Sequence, residues 1–250
     1  MRSQDVAARR QELQANPFFR LILPLDELPI SRIKELIPQV ARYVGGYSFS
    51  LRTYNDYGPS IINTIENNHP GAECLFNLRI DQPKNYSHVL QNIIKRPSIR
   101  YVTVNSAFFI KNPNVSANII PGSRIDLLGT VEYQPDAYRR ITDLRNLFSR
   151  GFNAYVVKNK NELNLLKSVV PHAFVIAQRV GRIQDKGVMV RKPEIDIDTE
   201  LRYGDELLAD IIEIHPAYTK LRTDYVIQAL HIFSQYVLLS GNNQMYEKAV

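Results

Sequence analysis

The stretch Ala72–Pro83, AECLFNLRIDQP, decides the fold. Cys74–Leu78 reads as a short buried strand that runs into a charged end, Arg79-Ile80-Asp81, and stops at the breaker pair Gln82-Pro83. Asn77, Arg79 and Asp81 stand at spacing two, so they share one side of an extended strand. An apolar strand ending in polar side chains of one parity matches the mouth of a barrel, where functional groups gather at strand C-termini. An edge strand with a solvated face is the plain alternative.

Working outward, the same kind of short β-rich run recurs. Arg20–Leu25, Tyr47–Leu51, Arg100–Asn105, Ile125–Val131, Asn153–Val157, Phe174–Ala177 and Ala209–Ile214 bring the number of expected strands to eight. Between them lie stretches with helical period, such as Ile33, Leu36, Ile37 and Val40, or Ile141, Leu144 and Leu147. Gly58-Pro59 opens a helix carrying Ile61, Ile62 and Ile65 on one face. Further helices are expected over Asn85–Lys95, Asn161–Val169, Glu200–Leu208 and Arg222–Leu239. The spacing from strand to strand is mostly about 25 to 30 residues, roughly one βα unit. No glycine-rich fingerprint follows the first strand, which disfavours a dinucleotide-binding sheet. The expected architecture is α/β: a single (β/α)8 TIM barrel over 19–250 with a short N-terminal helical arm over 1–18. The barrel rule then collects Asp26, Ser48, Ser50, Arg79, Asp81, Asn105, Glu132, Lys158, Gln178, Arg179 and His215 around one mouth.

Bulk properties narrow the function. The chain has 250 residues, 44% of them hydrophobic, enough for one large core. Lys plus Arg number 31 against 25 Asp plus Glu, a net charge of +6, which favours anionic ligands or an acidic protein partner. No nucleic-acid motif accompanies that charge, so nucleic acid is disfavoured as a partner. Cys74, the single cysteine, excludes an internal disulfide and reads as a small buried filler. His69, His88, His172 and His231 lack metal-ligand spacing, so no metal and no cofactor is expected. No run approaches the roughly 18 apolar residues of a membrane span. The start, MRSQDVAARRQELQANP, is polar and lacks the pattern of a secretory signal, so a cytoplasmic protein without membrane attachment is expected.

Five segments together resemble the orotidine 5'-monophosphate decarboxylase family, over about Phe19 to Leu239: LILPLDE, YVGGYSFSLRTYNDYGPSII, CLFNLRIDQP, YVTVNSA and ADIIEIHPAYTK. The resemblance implies a barrel, a homodimer, a phosphorylated pyrimidine nucleotide as ligand, and an alternating Asp, Lys, Asp, Lys network that protonates a carbanion after loss of the carboxylate. Asp26 matches the first aspartate of that network. The lysine of the second strand falls on Ser48, and the Asp-x-Lys pair of the third falls on Asn77 and Arg79. Asp81 is the counterpart of the last aspartate, one residue early. The phosphate-binding Gly-Arg of the last strand falls on Ile214 and His215. Arginine stays protonated in proteins, so Arg79 keeps the charge but not the ability to give up a proton.

Asp26, Arg79 and Asp81 therefore read as a degenerate catalytic set: either an ion-pair cluster holding the mouth together, or a clamp on a ligand phosphate. Ser48, Asn77, Asn105, Lys158, Gln178, Arg179, Arg182 and His215 are the expected ligand-binding set. Lys158 either restores the missing cation or fills the emptied pocket. The basic loop after the seventh strand, with Arg182, Lys186, Arg191 and Lys192, offers a second place for phosphate or an ordinary solvated surface. The functional expectation is a non-catalytic homologue that binds a phosphorylated small molecule or nucleotide, or serves as an assembly subunit. The alternative is an active, divergent decarboxylase or lyase.

Overall fold

The structure, a computed structural model, describes residues 3–80, 87–93, 95–105, 125–130, 137–180 and 209–246. Eight parallel strands close on themselves in chain order: β1 (Leu21–Pro24), β2 (Gly46–Ser50), β3 (Cys74–Ile80), β4 (Ile99–Val104), β5 (Asp126–Thr130), β6 (Ala154–Val157), β7 (Phe174–Val180) and β8 (Ile211–Ile214). β1 pairs with β8, so no edge remains, and β3 is an interior strand hydrogen-bonded to β2 and β4 rather than a solvated edge. The chain is a (β/α)8 TIM barrel.

Alternation along the strands builds two apolar layers. Cys74, Phe76 and Leu78 face outward, into a layer shared with helix residues such as Ile33, Leu36, Ile61 and Ile65. Leu75 faces inward with Ile22, Tyr101, Leu128, Val156, Phe174 and Ile176. The outer helices are α1 (Ser3–Ala15), α2 (Ile30–Val40), α3 (Leu51–Tyr57), α4 (Ser60–Asn68), α5 (Ser87–Ile93), α6 (Ala137–Ser149), α7 (Lys160–Val169) and α8 (Thr223–Tyr246). Seven lie within or beside the expected helical stretches; α3 was not anticipated. It begins where Ser50 caps it by accepting from Thr53 N–H, and ends at Gly58 with φ 58°. α7 starts on a capping box: Asn159 accepts from Glu162 N–H at 2.9 Å, and Glu162 accepts from Lys158 N–H at 2.7 Å. The expected helix over Glu200–Leu208 lies outside the described residues.

α1 closes the barrel floor. Val6 and Leu13 join the inner apolar layer. Arg9, 4% exposed, donates to the Tyr101 hydroxyl inside the barrel at 2.9 Å, to Glu12 at 2.7 Å, and pairs with Glu73 just ahead of β3. Arg10 bridges Asp210, ahead of β8, and the Ala173 carbonyl, ahead of β7. Apart from Glu12 on α1 itself, these partners stand toward strand N-terminal ends, opposite the mouth. Close strand approach on the same side explains a glycine. A Cβ on Gly46 would land on the Glu73 carbonyl, whose residue donates its own N–H to Gly45 O at 2.9 Å.

Two ladders are irregular. Phe76 pairs with Val102 but Ile80 with Val104, so four residues of β3 advance against two of β4. Ala177 pairs with Ile212 but Val180 with Ile214, three residues of β7 against two of β8. Such irregularities locally turn a strand and re-aim its side chains. They fall at Asn77–Arg79 and at Gln178-Arg179. The spacing-two rule therefore holds through Leu75 and Asn77 and stops as an argument beyond them.

Candidate functional site

The mouth is built from strand C-terminal ends, and its described centre is an amide–carboxylate bridge. Gln178 of β7 donates both Nε2 protons, one to Asn77 Oδ1 across the barrel at 2.8 Å and one to Glu213 Oε2 on the neighbouring β8 at 2.7 Å. Gln178 and Glu213 are 7% and 4% exposed, so these groups have exchanged water for each other. The bridge joins opposite walls of the barrel at the two irregular ladders.

Asp26 stands after β1. Its Oδ1 accepts from Ser50 N–H at 2.7 Å and from the Thr53 hydroxyl at 2.6 Å. The carboxylate thus braces the corner where β2 turns into α3, and among the described residues it enters no ion pair. The other members of the ion-pair cluster expected around it, the Arg79 side chain and Asp81, lie outside the described residues. The next residue, Glu27, has φ 63° and pairs with Lys220, which ties the loop after β1 to the turn after β8. Ser48 is fully buried in β2, and among the described residues its hydroxyl has no hydrogen-bond partner.

The remaining expected residues are spread around the rim. His215 accepts from Ala217 N–H at Nδ1, 3.1 Å, and so caps the 3-10 turn Pro216–Lys220. Asn105 is half-buried just past β4. Lys158 is exposed at the end of β6, so its chain does not fill the emptied interior. For Arg79 and Arg179 the described part is the backbone, in β3 and β7. Asp81, Arg182, Glu132, Lys186, Arg191 and Lys192 lie outside the described residues.

Glu213 and Thr53 were missed by the sequence reading. The signal for Glu213 was present: in ADIIEIHP it stands two before His215, at the same strand parity, as an acid inside an isoleucine run. Thr53 had no such signal, because the sequence reading assigns no element to 52–57, where α3 brings it to Asp26.

Cys74 opens β3 at the end opposite the mouth and packs in the outer apolar layer, where burial pushes its thiol up to about 12. Among the described residues no group of three or more His, Cys, Asp or Glu side chains is placed to hold a metal ion, and no helix is long and apolar enough to cross a membrane.

No protein-family profile and no curated protein sequence matches the chain. Solved structures do. An uncharacterized conserved protein from Geobacillus kaustophilus superposes with a TM-score of 0.60 at 12% identity, covering 87% of this chain and 99% of that one. The 3-hexulose-6-phosphate synthase from Salmonella typhimurium superposes with a TM-score of 0.65 at 17% identity, covering 89% and 99%. At these identities the likeness establishes the barrel.

Proposed function

We propose that this chain is a divergent barrel of the orotidine 5'-monophosphate decarboxylase type that binds a phosphorylated small molecule at its mouth and does not decarboxylate orotidine monophosphate. The observation that carries the reading is the state of Asn77. The resemblance puts an aspartate of the proton-delivering network there; the chain has a carboxamide whose oxygen is engaged by Gln178. A carboxamide has no proton to relay near neutral pH. Ser48, at the position of the second-strand lysine, offers a hydroxyl in place of an ammonium. Arg79 replaces the third-strand lysine with a group that stays charged. Asp26 retains its carboxylate, with one oxygen committed to Ser50 and Thr53.

Phosphate binding is supported by the net charge of +6 and by Arg179, Arg182 and the lysines that follow β7, the side of a barrel mouth where phosphate often docks. The barrel shared with a 3-hexulose-6-phosphate synthase is consistent with a phosphorylated ligand. A homodimer is part of the same proposal, and light scattering at micromolar concentration checks it.

The direct test mixes purified protein with orotidine monophosphate and follows the pyrimidine absorbance. No loss above the buffer rate is expected, while calorimetry with phosphorylated compounds shows binding. Turnover that disappears in Arg79→Ala would refute the proposal.

A second reading, a lyase acting on a different phosphorylated substrate, is favoured by one observation. Glu213 places a carboxylate inside the mouth, and a group so placed can take a proton from a bound substrate. Under that reading, Glu213→Gln removes turnover and leaves ligand affinity within a few-fold.

A further inference from the structure

We propose that α1 is a clasp that sets the geometry of the mouth from the opposite end of the barrel. Arg9 and Arg10 hold the floor ends of β3 on one wall and of β7 and β8 on the other, and this fixes the span that the Gln178 amide bridges above. The two arginines are thus positioning residues for the mouth, whatever ligand the mouth takes.

Adjacent residues on a helix point about 100° apart, so two neighbours can reach different walls. Arg9 pairs with Glu73, the residue ahead of β3, and donates to the Tyr101 hydroxyl of β4 at 2.9 Å. Arg10 donates from Nε to Asp210 Oδ1 at 2.6 Å, and from one terminal nitrogen to Asp210 Oδ2 at 3.1 Å and to Ala173 O at 2.8 Å. Asp210 Oδ2 also accepts from Val175 N–H at 2.8 Å, and the Asp210 N–H donates to Val175 O at 2.9 Å. The fork of Arg10 therefore locks β7 to β8 on the floor side of their ladder. The described side chains that α1 buries are Val6, Arg9 and Leu13, so a guanidinium stands in the middle of its docking stripe. Directional, charge-assisted bonds set where the helix sits.

The same three strands carry the bridge at the mouth. Asn77 follows Glu73 by four residues, and Gln178 and Glu213 follow Val175 and Asp210 by three, about 10–13 Å of extended chain. The strand residues between are buried in a close-packed interior, so a displaced floor end carries its displacement to the mouth. At the bridge the support of regular pairing ends: β3 slips against β4 between Phe76 and Ile80, and β7 against β8 between Ala177 and Val180. The Gln178 amide is committed in two directions, to Asn77 at 2.8 Å and to Glu213 at 2.7 Å. A wall that moves by about 0.7 Å takes one of these bonds to the edge of hydrogen-bond range.

Hydrogen exchange of the Gln178 side-chain amide, followed in nitrogen–proton correlation spectra, reads the bridge directly. It needs no ligand, so its outcome is separate from that of the phosphate-binding proposal. The Gln178 resonances are assigned by their loss in Gln178→Leu. Arg10→Lys keeps a positive charge beside Asp210 but lacks the planar fork that spans both strands, and Arg9→Lys does the same between Glu73 and Tyr101. In each, the Gln178 amide protons are expected to exchange about fivefold or more faster than in the wild type, the size of one lost hydrogen bond. Arg32→Met removes contacts from α2 to the Leu221 carbonyl and Thr223, away from the floor, and is expected to leave the Gln178 rate unchanged. Melting curves confirm that each variant is folded; where a lysine variant is not, Asp210→Asn carries the same test. Unchanged Gln178 exchange in both folded lysine variants overturns the inference. Equal acceleration in Arg32→Met also overturns it, because the bridge would then follow global stability and not the clasp.

Discussion

Arg9→Met is the sharpest test of how the barrel floor is held. The substitution keeps an unbranched chain under the barrel and deletes the guanidinium. Three partners lose a donor, and they weigh differently. Glu12 is 62% exposed, so its loss contributes about 0.5 kcal/mol or less. Glu73 is 24% exposed; stripping the cation from a fully buried pair costs about 3–5 kcal/mol, and partial solvent access brings this to roughly 2. The Tyr101 hydroxyl, in a side chain with no solvent exposure, is left without a partner at a cost of about 1–2 kcal/mol. The total is about 3–4 kcal/mol, which for a chain of this size lowers the melting temperature by roughly 10 °C. The chain has no Trp, so far-UV circular dichroism is the suitable readout.

The pH dependence sharpens the test. Burial already raises the Glu73 carboxyl above its ordinary value, while Arg9 and Arg100 oppose that shift. Removing Arg9 lifts it further. A carboxyl raised in the folded state favours folding at pH values below its unfolded value and weakens it as pH rises through the folded one. The deficit of Arg9→Met is therefore larger at pH 8 than at pH 5. Adding Glu73→Gln recovers part of it, because the uncompensated charge is gone. A drop of under about 2 °C, or an equal drop at both pH values, would show that α1 is held without a contribution from Arg9 and refute the ion-pair reasoning.

Two other expectations concern the frame around the site. Gly46→Ala drives a methyl into the Glu73 carbonyl at the β2–β3 junction, and a loss of about 3 kcal/mol or more, measured by urea unfolding, is expected; a variant of wild-type stability would contradict the register. The half-buried His69 shares a hydrogen bond with the Tyr47 hydroxyl at 3.0 Å, and burial raises the Tyr47 phenol, which stays protonated. Burial lowers His69 below its ordinary 6.5, so its contribution is fully present above that pH and is lost as pH falls through the folded value. His69→Gln should flatten the dependence of melting temperature on pH between about 6.5 and 5, and an unchanged slope would count against the neutral histidine.

The eight strands were legible because each is a short apolar run closed by a polar or breaking residue, and in a barrel both faces of a strand are buried, so the run itself is the signal. Inward parity was legible too, as far as Leu75 and Asn77. What could not be read was where the ladders slip. The irregularities at Asn77–Arg79 and Gln178-Arg179 arise from pairing with β4 and β8, partners far away in sequence, and no local pattern in NLR or QRV announces them. The same limit explains Asp26. Its match to an acidic position was visible in LILPLDE, but its commitment to Ser50 and Thr53 depends on a seven-residue helix that periodicity is too short to reveal. Glu12, Arg9 and Arg10 looked like ordinary solvated charges on a polar helix. Only closure of the barrel above them turns Arg9 into a buried group, so the role of the N-terminal segment follows from topology and not from its own residues. The site then has a simple physical origin. Strand ends present polar side chains at fixed parity, two ladder slips bring an amide from each wall together, and the acid–base character of the mouth is set by which of those residues are titratable. In this chain the residues that meet across the barrel are amides, and a carboxamide has no proton to relay near neutral pH.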